Sequence, residues 1–160
     1  MGKELKTNAM RFLDKSKIPY TVNNYECDEF IDGVTVANAL GQPVDVTFKT
    51  LVAKGKSGSY YCFLLPVDKE LDLKKAAKSV EEKSVELLHV KDINAVTGYV
   101  RGGCTPIGMK KQFLTVVHSS AESLTEFYIS GGRVGTQICL SPTALIKAIR
   151  GRFADILLSE

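Results

Sequence analysis

The 160-residue chain is poor in the residues that announce familiar chemistries. It has four cysteines (Cys27, Cys62, Cys104 and Cys139), none in a CxxC pair, and their spacings fit no common zinc pattern. It has two histidines, His89 and His118, too few for a multi-histidine metal centre without carboxylate help. No apolar run approaches the roughly 18 residues that a membrane span needs. The start, Met1-Gly2-Lys3-Glu4-Leu5-Lys6, lacks the apolar stretch of a secretory signal and is a poor myristoylation site. Internal repeats, low-complexity tracts and linkers are absent. So are a phosphate-cradling GxxxxGK[ST], an HExxH, a GxSxG, and a GxGxxG after a strand. These gaps set aside membrane proteins, disulfide scaffolds, zinc modules, P-loop NTPases and serine hydrolases. The expectation is a cytoplasmic protein with reduced thiols, no metal and no cofactor.

What is present suits one domain spanning residues 1–160. Apolar residues make up 44% and charged residues 24%, the ordinary balance of a globular protein. The net charge of +3 permits a nucleic-acid partner without arguing for one.

Periodicity places a helix over about 3–17, with Leu5, Ala9, Phe12 and Leu13 on one stripe, ended by Pro19. A strand is expected over Tyr20–Tyr25 and a helix over Thr35–Leu40, stopped by Gly41. Phe48–Ala53 and Tyr60–Leu65 read as a hairpin with a flexible tip at 54–59. Asp72 can cap a helix through Val80, Ser84–Val90 is strand or extended loop, and Asp92 can cap a short helix ending at Gly98. Further strands are expected at Phe113–His118, Glu126–Ser130 and Val134–Leu140, the last two turning at Gly131-Gly132. Ser141-Pro142 starts a helix that Gly151 ends, and Phe153–Leu158 is a final apolar run. Irregular alternation of helices and strands implies an α/β fold with a mixed sheet and surrounding helices.

Three features can carry chemistry. Gly102-Gly103-Cys104-Thr105-Pro106-Ile107-Gly108 can bring backbone N–H groups close to a phosphate or a developing oxyanion, although an ordinary surface turn is the commoner explanation of such a loop. Ser130 precedes Gly131-Gly132 and can bind a substrate hydroxyl; without a neighbouring histidine it makes a poor nucleophile. Lys49 stands among apolar neighbours and either faces solvent or reaches into a cleft. Cys104 likewise lacks the nearby base a nucleophilic thiol needs.

Taken in order, Lys49-Thr50-Leu51, Leu71 to Lys78, Thr97-Gly98-Tyr99 running into Gly102-Gly103, Pro106 and Gly108, Lys110-Lys111, Tyr128-Ile129-Ser130-Gly131-Gly132 and Phe153-Ala154-Asp155-Ile156 closely resemble the YbaK/EbsC family. That family includes bacterial Cys-tRNA(Pro) deacylases and is related to the editing domain inserted in bacterial prolyl-tRNA synthetases. The resemblance covers essentially the whole chain. It implies a strongly curved mixed sheet and clearance of mischarged tRNA, with a non-catalytic aminoacyl-tRNA binding module, or a deacylase for another amino acid, as the alternatives. It implies a catalytic set of Lys49, Gly102, Gly103 and Ser130. Tyr20, Thr105, Pro106, Gly108, Gly131 and Gly132 would line the substrate site. The substrate's own cysteine thiol would attack its ester, with backbone N–H groups around Gly102-Gly103 holding the oxyanion. The acceptor end of tRNA(Pro) and prolyl-tRNA synthetase are the implied partners. Lys54, Lys56, Lys110, Lys111 and the Lys74/Lys75/Lys78 face are candidates for phosphate contact. Family members often carry an acidic residue shortly after the second glycine pair; Gln137 stands there in this chain.

Overall fold

A computed structural model describes residues 6–25, 33–100, 103–109 and 111–158. Two sheets share one core. A three-stranded antiparallel sheet has the order β1 (Thr21–Asn24), β7 (Thr136–Leu140), β6 (Phe127–Arg133). A five-stranded mixed sheet has the order β4 (Val85–Leu87), β2 (Phe48–Gly55), β3 (Tyr60–Pro66), β5 (Leu114–His118), β8 (Arg152–Ala154). A single parallel bridge, Thr47 to Tyr128, joins them. The one curved sheet expected from the sequence is thus a sheet broken into two at that bridge.

Strand β3 explains why this pattern folds. Its run Cys62-Phe63-Leu64-Leu65 is fully buried, as a central strand covered on both faces must be. Alternation sends Leu64 to one side, into a cluster with Phe48, Phe127, Ile129, Ile138, α1 (Asn8–Lys15) and α5 (Pro142–Ile149). Phe63 and Leu65 go to the other side, against Ala76, Ala77 and Val80 of α3 (Leu73–Ser79) and its end. Phe48 meets Phe127 edge-on at 5.1 Å, locking the two sheets together over the first cluster.

Helix caps form at three N-terminal ends, two of them, Asp72 and Ser141, where the sequence placed a helix start. Thr7 accepts from Met10 N–H at α1, Asp72 from Lys74 and Lys75 N–H at α3, and Ser141 from Ala144 N–H at α5, where Pro142 takes the first helical position. Other boundaries move. Helix α1 begins at Asn8, and Leu5 lies outside the described residues. Helix α2 spans Gly33–Ala39. Helix α4 (Val90–Thr97) is preceded by His89, so Asp92 sits in its first turn rather than capping it. Residues 84–90 contain the short β4 and then enter α4. The 54–59 tip is tied down: Glu82 accepts from both the N–H and the hydroxyl of Ser57.

The largest shift is at Gly131-Gly132. These residues lie inside β6, and the register slips between Ser130 and Arg133, a bulge. The chain reverses at Val134-Gly135, where Gly135 has φ +88°. Gly132 at φ +104° supplies the left-handed residue that the bulge needs. The run from Phe153 gives only the short β8, after which Leu157 bridges back to Leu71. No helix among the described residues is long and apolar enough to cross a membrane.

Candidate active site

The Thr47–Tyr128 bridge decides where the polar residues meet. Phe48 points into the first core cluster, so Thr47 and Lys49 share the opposite face. Phe127 and Ile129 point into that same cluster, so Tyr128 and Ser130 also share the opposite face. The bridge is parallel, and Lys49 and Ser130 each stand two residues beyond it. They are therefore level at the junction of the sheets. Gln137 pairs with Ser130 and joins the same face, because cross-strand partners point to one side.

On the five-stranded half this face is covered by α3. On the three-stranded half it opens into a cleft of about 420 Å³, lined by Val22, Asn23, Asn24, Leu40, Gly41, Gln42, Pro43 and Tyr128. Lys49 lies at the boundary, half-buried. Burial pushes its ammonium below the usual 10.5, while Glu70 and then Asp68 oppose that shift.

An amide network forms the cleft wall. Gln42 donates from Nε2 to Gln137 Oε1 at 2.6 Å, and Gln137 donates from Nε2 to Gln42 Oε1 at 2.9 Å. Asn23 adds a 3.3 Å bond from Nδ2 to Gln137 Oε1. The Thr47 hydroxyl is 2.9 Å from the Pro43 carbonyl and 3.5 Å from Gln42 Oε1. Gln137 is only 4% exposed, so its polar atoms need these partners.

The glycine-rich loop does something different from what its composition suggests. Residues 103–107 are buried, and the loop is interlocked with backbone. A Cβ on Gly103 would lie 2.7 Å from Arg133 Cα, and one on Gly108 (φ +65°) would lie 2.6 Å from the Asn8 carbonyl oxygen. Gly131 accepts from the Thr7 hydroxyl at 2.5 Å, and Gly132 packs on Thr7 and Tyr99. The buried Tyr99 hydroxyl donates to the Ile107 carbonyl at 2.6 Å, and burial raises its pKa to about 12. These residues thus fasten the bulge to the start of α1.

The Gly103 N–H donates to the Val100 carbonyl at 2.9 Å, so it is already engaged; Gly102 lies outside the described residues. Thr105 is fully buried, with no partner for its hydroxyl among the described residues, and Pro106 is buried beside it. The Ser130 hydroxyl accepts from Gly132 N–H at 3.3 Å. Tyr20 is half-buried against the first core cluster just before β1, and its hydroxyl donates to Asp14 at 3.1 Å. The structure therefore brings Lys49, Ser130 and Gln137 to one face, and groups Gly103, Gly108, Gly131 and Gly132 in a packing seam. Asn23, Gln42 and Thr47 escaped the sequence reading, and Tyr128 entered it only as part of the Tyr128–Gly132 motif. Amides at a strand and a turn carry no local signal, and only the topology brings them together.

The described cysteines are unsuited to nucleophilic work. Cys62, Cys104 and Cys139 are buried. Burial drives the Cys62 thiol well up, and Cys104 and Cys139 to about 11, with Glu126 adding to the rise at Cys139. His118 uses Nδ1 to accept from Ile156 N–H at 3.3 Å, on the five-stranded sheet. Lys75 is occupied too, donating to Asp155 Oδ2 and the Leu157 carbonyl, so it ties down the C-terminal segment rather than standing free on its helix.

A broken curved sheet with a half-covered polar face matches a known class. Residues 32–148 match the aminoacyl-tRNA editing domain, and the chain belongs to that family. A protein of Enterococcus faecalis named for Cys-tRNA(Pro)/Cys-tRNA(Cys) deacylase activity, EbsC, is 43% identical over 156 residues, 97% of this chain and 95% of that protein. A proline–tRNA ligase of Fervidobacterium nodosum is 36% identical over 75 residues, 47% of this chain and 13% of the ligase. A crystal structure described as a trans-editing enzyme for prolyl-tRNA synthetase superposes with a TM-score of 0.82 at 22% identity, covering 98% of this chain and 100% of that one, a likeness of fold.

Proposed function

We propose that this protein is a free-standing, single-domain cytoplasmic deacylase that removes cysteine from Cys-tRNA(Pro). Membership in the editing family and the 43% identity to EbsC support the reaction class. The observation that supports the site is the parallel Thr47–Tyr128 bridge: Lys49 and Ser130 each stand two residues beyond it, on the face where Tyr128 and Gln42 line a cleft.

In this reading the protein supplies no covalent nucleophile, in keeping with the buried, high-pKa thiols of Cys62, Cys104 and Cys139. The substrate's cysteine sulfur attacks its own ester carbonyl. A carbon–sulfur bond forms, the bond to the ribose oxygen breaks, and the thiol proton ends on the ribose hydroxyl. A free thiol titrates near 8.5, so a useful fraction is thiolate close to neutrality. Well-oriented intramolecular attack reaches effective molarities of about 10⁵ M or more. The protein then has to hold the attacking conformer and offset charge on the ester oxygen.

Lys49 is the group suited to that charge, with Ser130 placing the ribose. Since the Gly103 N–H is already bonded to the Val100 carbonyl, Gly103 contributes through its close packing against the backbone at Arg133. Tyr20, Thr105, Pro106, Gly108, Gly131 and Gly132 support the pocket from behind. Exposed Lys54, Lys56 and Lys111, with Lys110, Lys74 and Lys78, would meet tRNA phosphates. Lys54 lies five residues along β2 from Lys49, about 17 Å at strand rise, so these contacts engage the tRNA beyond its reacting end. A prolyl-tRNA synthetase would supply the tRNA selection that so small a protein lacks.

The test is release of cysteine from purified Cys-tRNA(Pro), compared with Ala-tRNA(Pro) and with the Lys49→Ala variant. Fast Lys49-dependent loss of cysteine with little loss of alanine is expected. Equal cleavage of both esters would point instead to an activated water.

A further inference from the structure

The cleft wall has a hydrogen-bond polarity that a count of lone pairs and N–H groups makes explicit. An amide oxygen accepts two hydrogen bonds and an amide nitrogen donates two. Gln137 Oε1 is filled by Gln42 Nε2 and Asn23 Nδ2. Gln42 Oε1 accepts from Gln137 Nε2 and keeps a second lone pair, since the one proton of the Thr47 hydroxyl, 3.5 Å away, lies 2.9 Å from the Pro43 carbonyl. Each Nε2 keeps one N–H without a partner among the described residues. Gln42 lines the cleft. Toward a ligand, then, Gln42 offers one N–H and one lone pair, Gln137 stands buried behind it, and the pair carries no charge.

Resting on the deacylase reading, we propose that the Gln42–Gln137 amide pair is a positioning device that keeps uncharged the polar face of the sheet to which Lys49 also belongs. The substrate atoms that gain negative charge, the ester oxygen and the attacking sulfur, then meet no negative charge from the pair. The reciprocal pairing explains why the position holds an amide. A carboxylate at 137 would keep the bond from Gln42 Nε2 but set an anionic oxygen against Gln42 Oε1, and rotating the Gln42 amide would only exchange the two positions. It would also be buried at a site only 4% exposed, which favours its neutral form. A neutral acid, by contrast, can donate to Gln42 Oε1 as the native amide does.

The titratable and charged groups on the elements around Gln137 are Tyr128, Cys139 and Glu126 of the three-stranded sheet and its approach, Arg133 at the bulge, Lys49 on β2 and Asp45 in the short 3-10 turn at Val44–Val46. Lys49 and Arg133 favour an ionised acid at 137, and Glu126 and Asp45 oppose it.

The experiment is single-turnover cysteine release from Cys-tRNA(Pro) between pH 5.5 and 8.5, with thermal midpoints measured at each pH. The full chain is compared with Gln137→Glu, Gln137→Met and, should the first fold poorly, Gln42→Glu. Gln137→Glu should approach the native rate at low pH and fall behind by about tenfold at high pH, the order expected of one added like charge near the reacting atoms. Gln137→Met should be slower by a constant factor, with the native pH profile. A Gln137→Glu to native rate ratio that stays constant with pH, while the native chain turns over and the variant remains folded, would overturn the role of the pair alone. No turnover by the native chain would bring down the deacylase reading, and this inference with it.

Discussion

One face of the curved sheet is treated in two ways. Over the five-stranded half it carries Phe63, Leu65 and Val116 and is sealed by Ala76, Ala77 and Val80 of α3 and its end. Over the three-stranded half the equivalent positions are the polar Tyr128, Ser130, Gln137 and Asn23; Gln42 helps to bury Gln137, and a cleft stays open beside Tyr128 and Asn23. The reverse face buries one cluster shared by both halves and, on the five-stranded half, a smaller one of Val52, Cys62, Tyr99 and Cys104. A site therefore arises where the sheet continues and the covering helix stops. Lys49 stands at that border on a strand whose neighbours are locked by the core, which holds a charged group firmly at the edge of an open cleft.

The sharpest separation of the two halves comes from deleting Phe63, which is fully buried under α3. Phe63→Ala should cost about 3–5 kcal/mol and lower the thermal midpoint by roughly 6–20 °C. Below that midpoint, the activity of the folded fraction should change little. Lys49→Ala reverses the pattern. Rate should fall about 10²–10³-fold, the usual consequence of losing one oxyanion contact, with the midpoint held within a few degrees. An active Lys49→Ala variant would remove the border residue from the chemistry.

A third test concerns the glycine seam that fastens the open half to α1. Gly108→Ala places a methyl group 2.6 Å from the Asn8 carbonyl oxygen at φ +65°, and about 2–3 kcal/mol of destabilisation is expected. Gly58→Ala is the control: its φ is +97°, with nothing within 4 Å of the added carbon, so it should cost only about 1 kcal/mol. Equal midpoints for the two would mean that the seam yields freely. Cys104→Ala should leave turnover nearly native, since a buried thiol with a pKa of about 11 is no nucleophile.

The sequence made the covered half readable and the open half less so. Asp72 and Ser141-Pro142 announce their helices because a cap is a local hydrogen bond between residues two or three apart. The apolar run of β3 announces burial on both faces. Lys49, Ser130 and the glycine segments are visible as motifs, and the family resemblance turned them into a site. The Gln42–Gln137 contact spans 95 positions and the Asn23–Gln137 contact 114, and no periodicity encodes either. The turn at Gly131-Gly132 was misplaced because a glycine at φ +104° serves a bulge as well as a hairpin, and only the pairing partner Thr136 distinguishes them. The loop at 103–108 reads as exposed by composition, yet its glycines are there for close backbone packing.

The smallest expected effect tests how the covered half is closed at its C-terminal end. His118 leaves β5 on the α3 side and accepts from Ile156 N–H through Nδ1, so it must be neutral there. Burial lowers its pKa below 6.5; the Asp155 carboxylate at 3.9 Å resists that shift and Lys75 reinforces it. The unfolded chain therefore binds a proton near pH 6.5 that the folded chain takes up only at lower pH. The contribution of His118 is complete above 6.5 and is lost as pH falls from there through the folded value. The carboxylates with lowered pKa, Asp14, Glu82 and Asp155, lose theirs only as pH falls below their ordinary values of 3.8 to 4.5. Urea unfolding at pH 7.5 and 5.5 thus isolates the histidine from those three. The native chain should be less stable at pH 5.5. His118→Asn, whose side-chain oxygen can accept from the same N–H without titrating, should lose that difference. A variant that keeps the full pH dependence would move the effect to another group, and would leave the C-terminal segment held by Lys75 and the Leu71–Leu157 bridge alone.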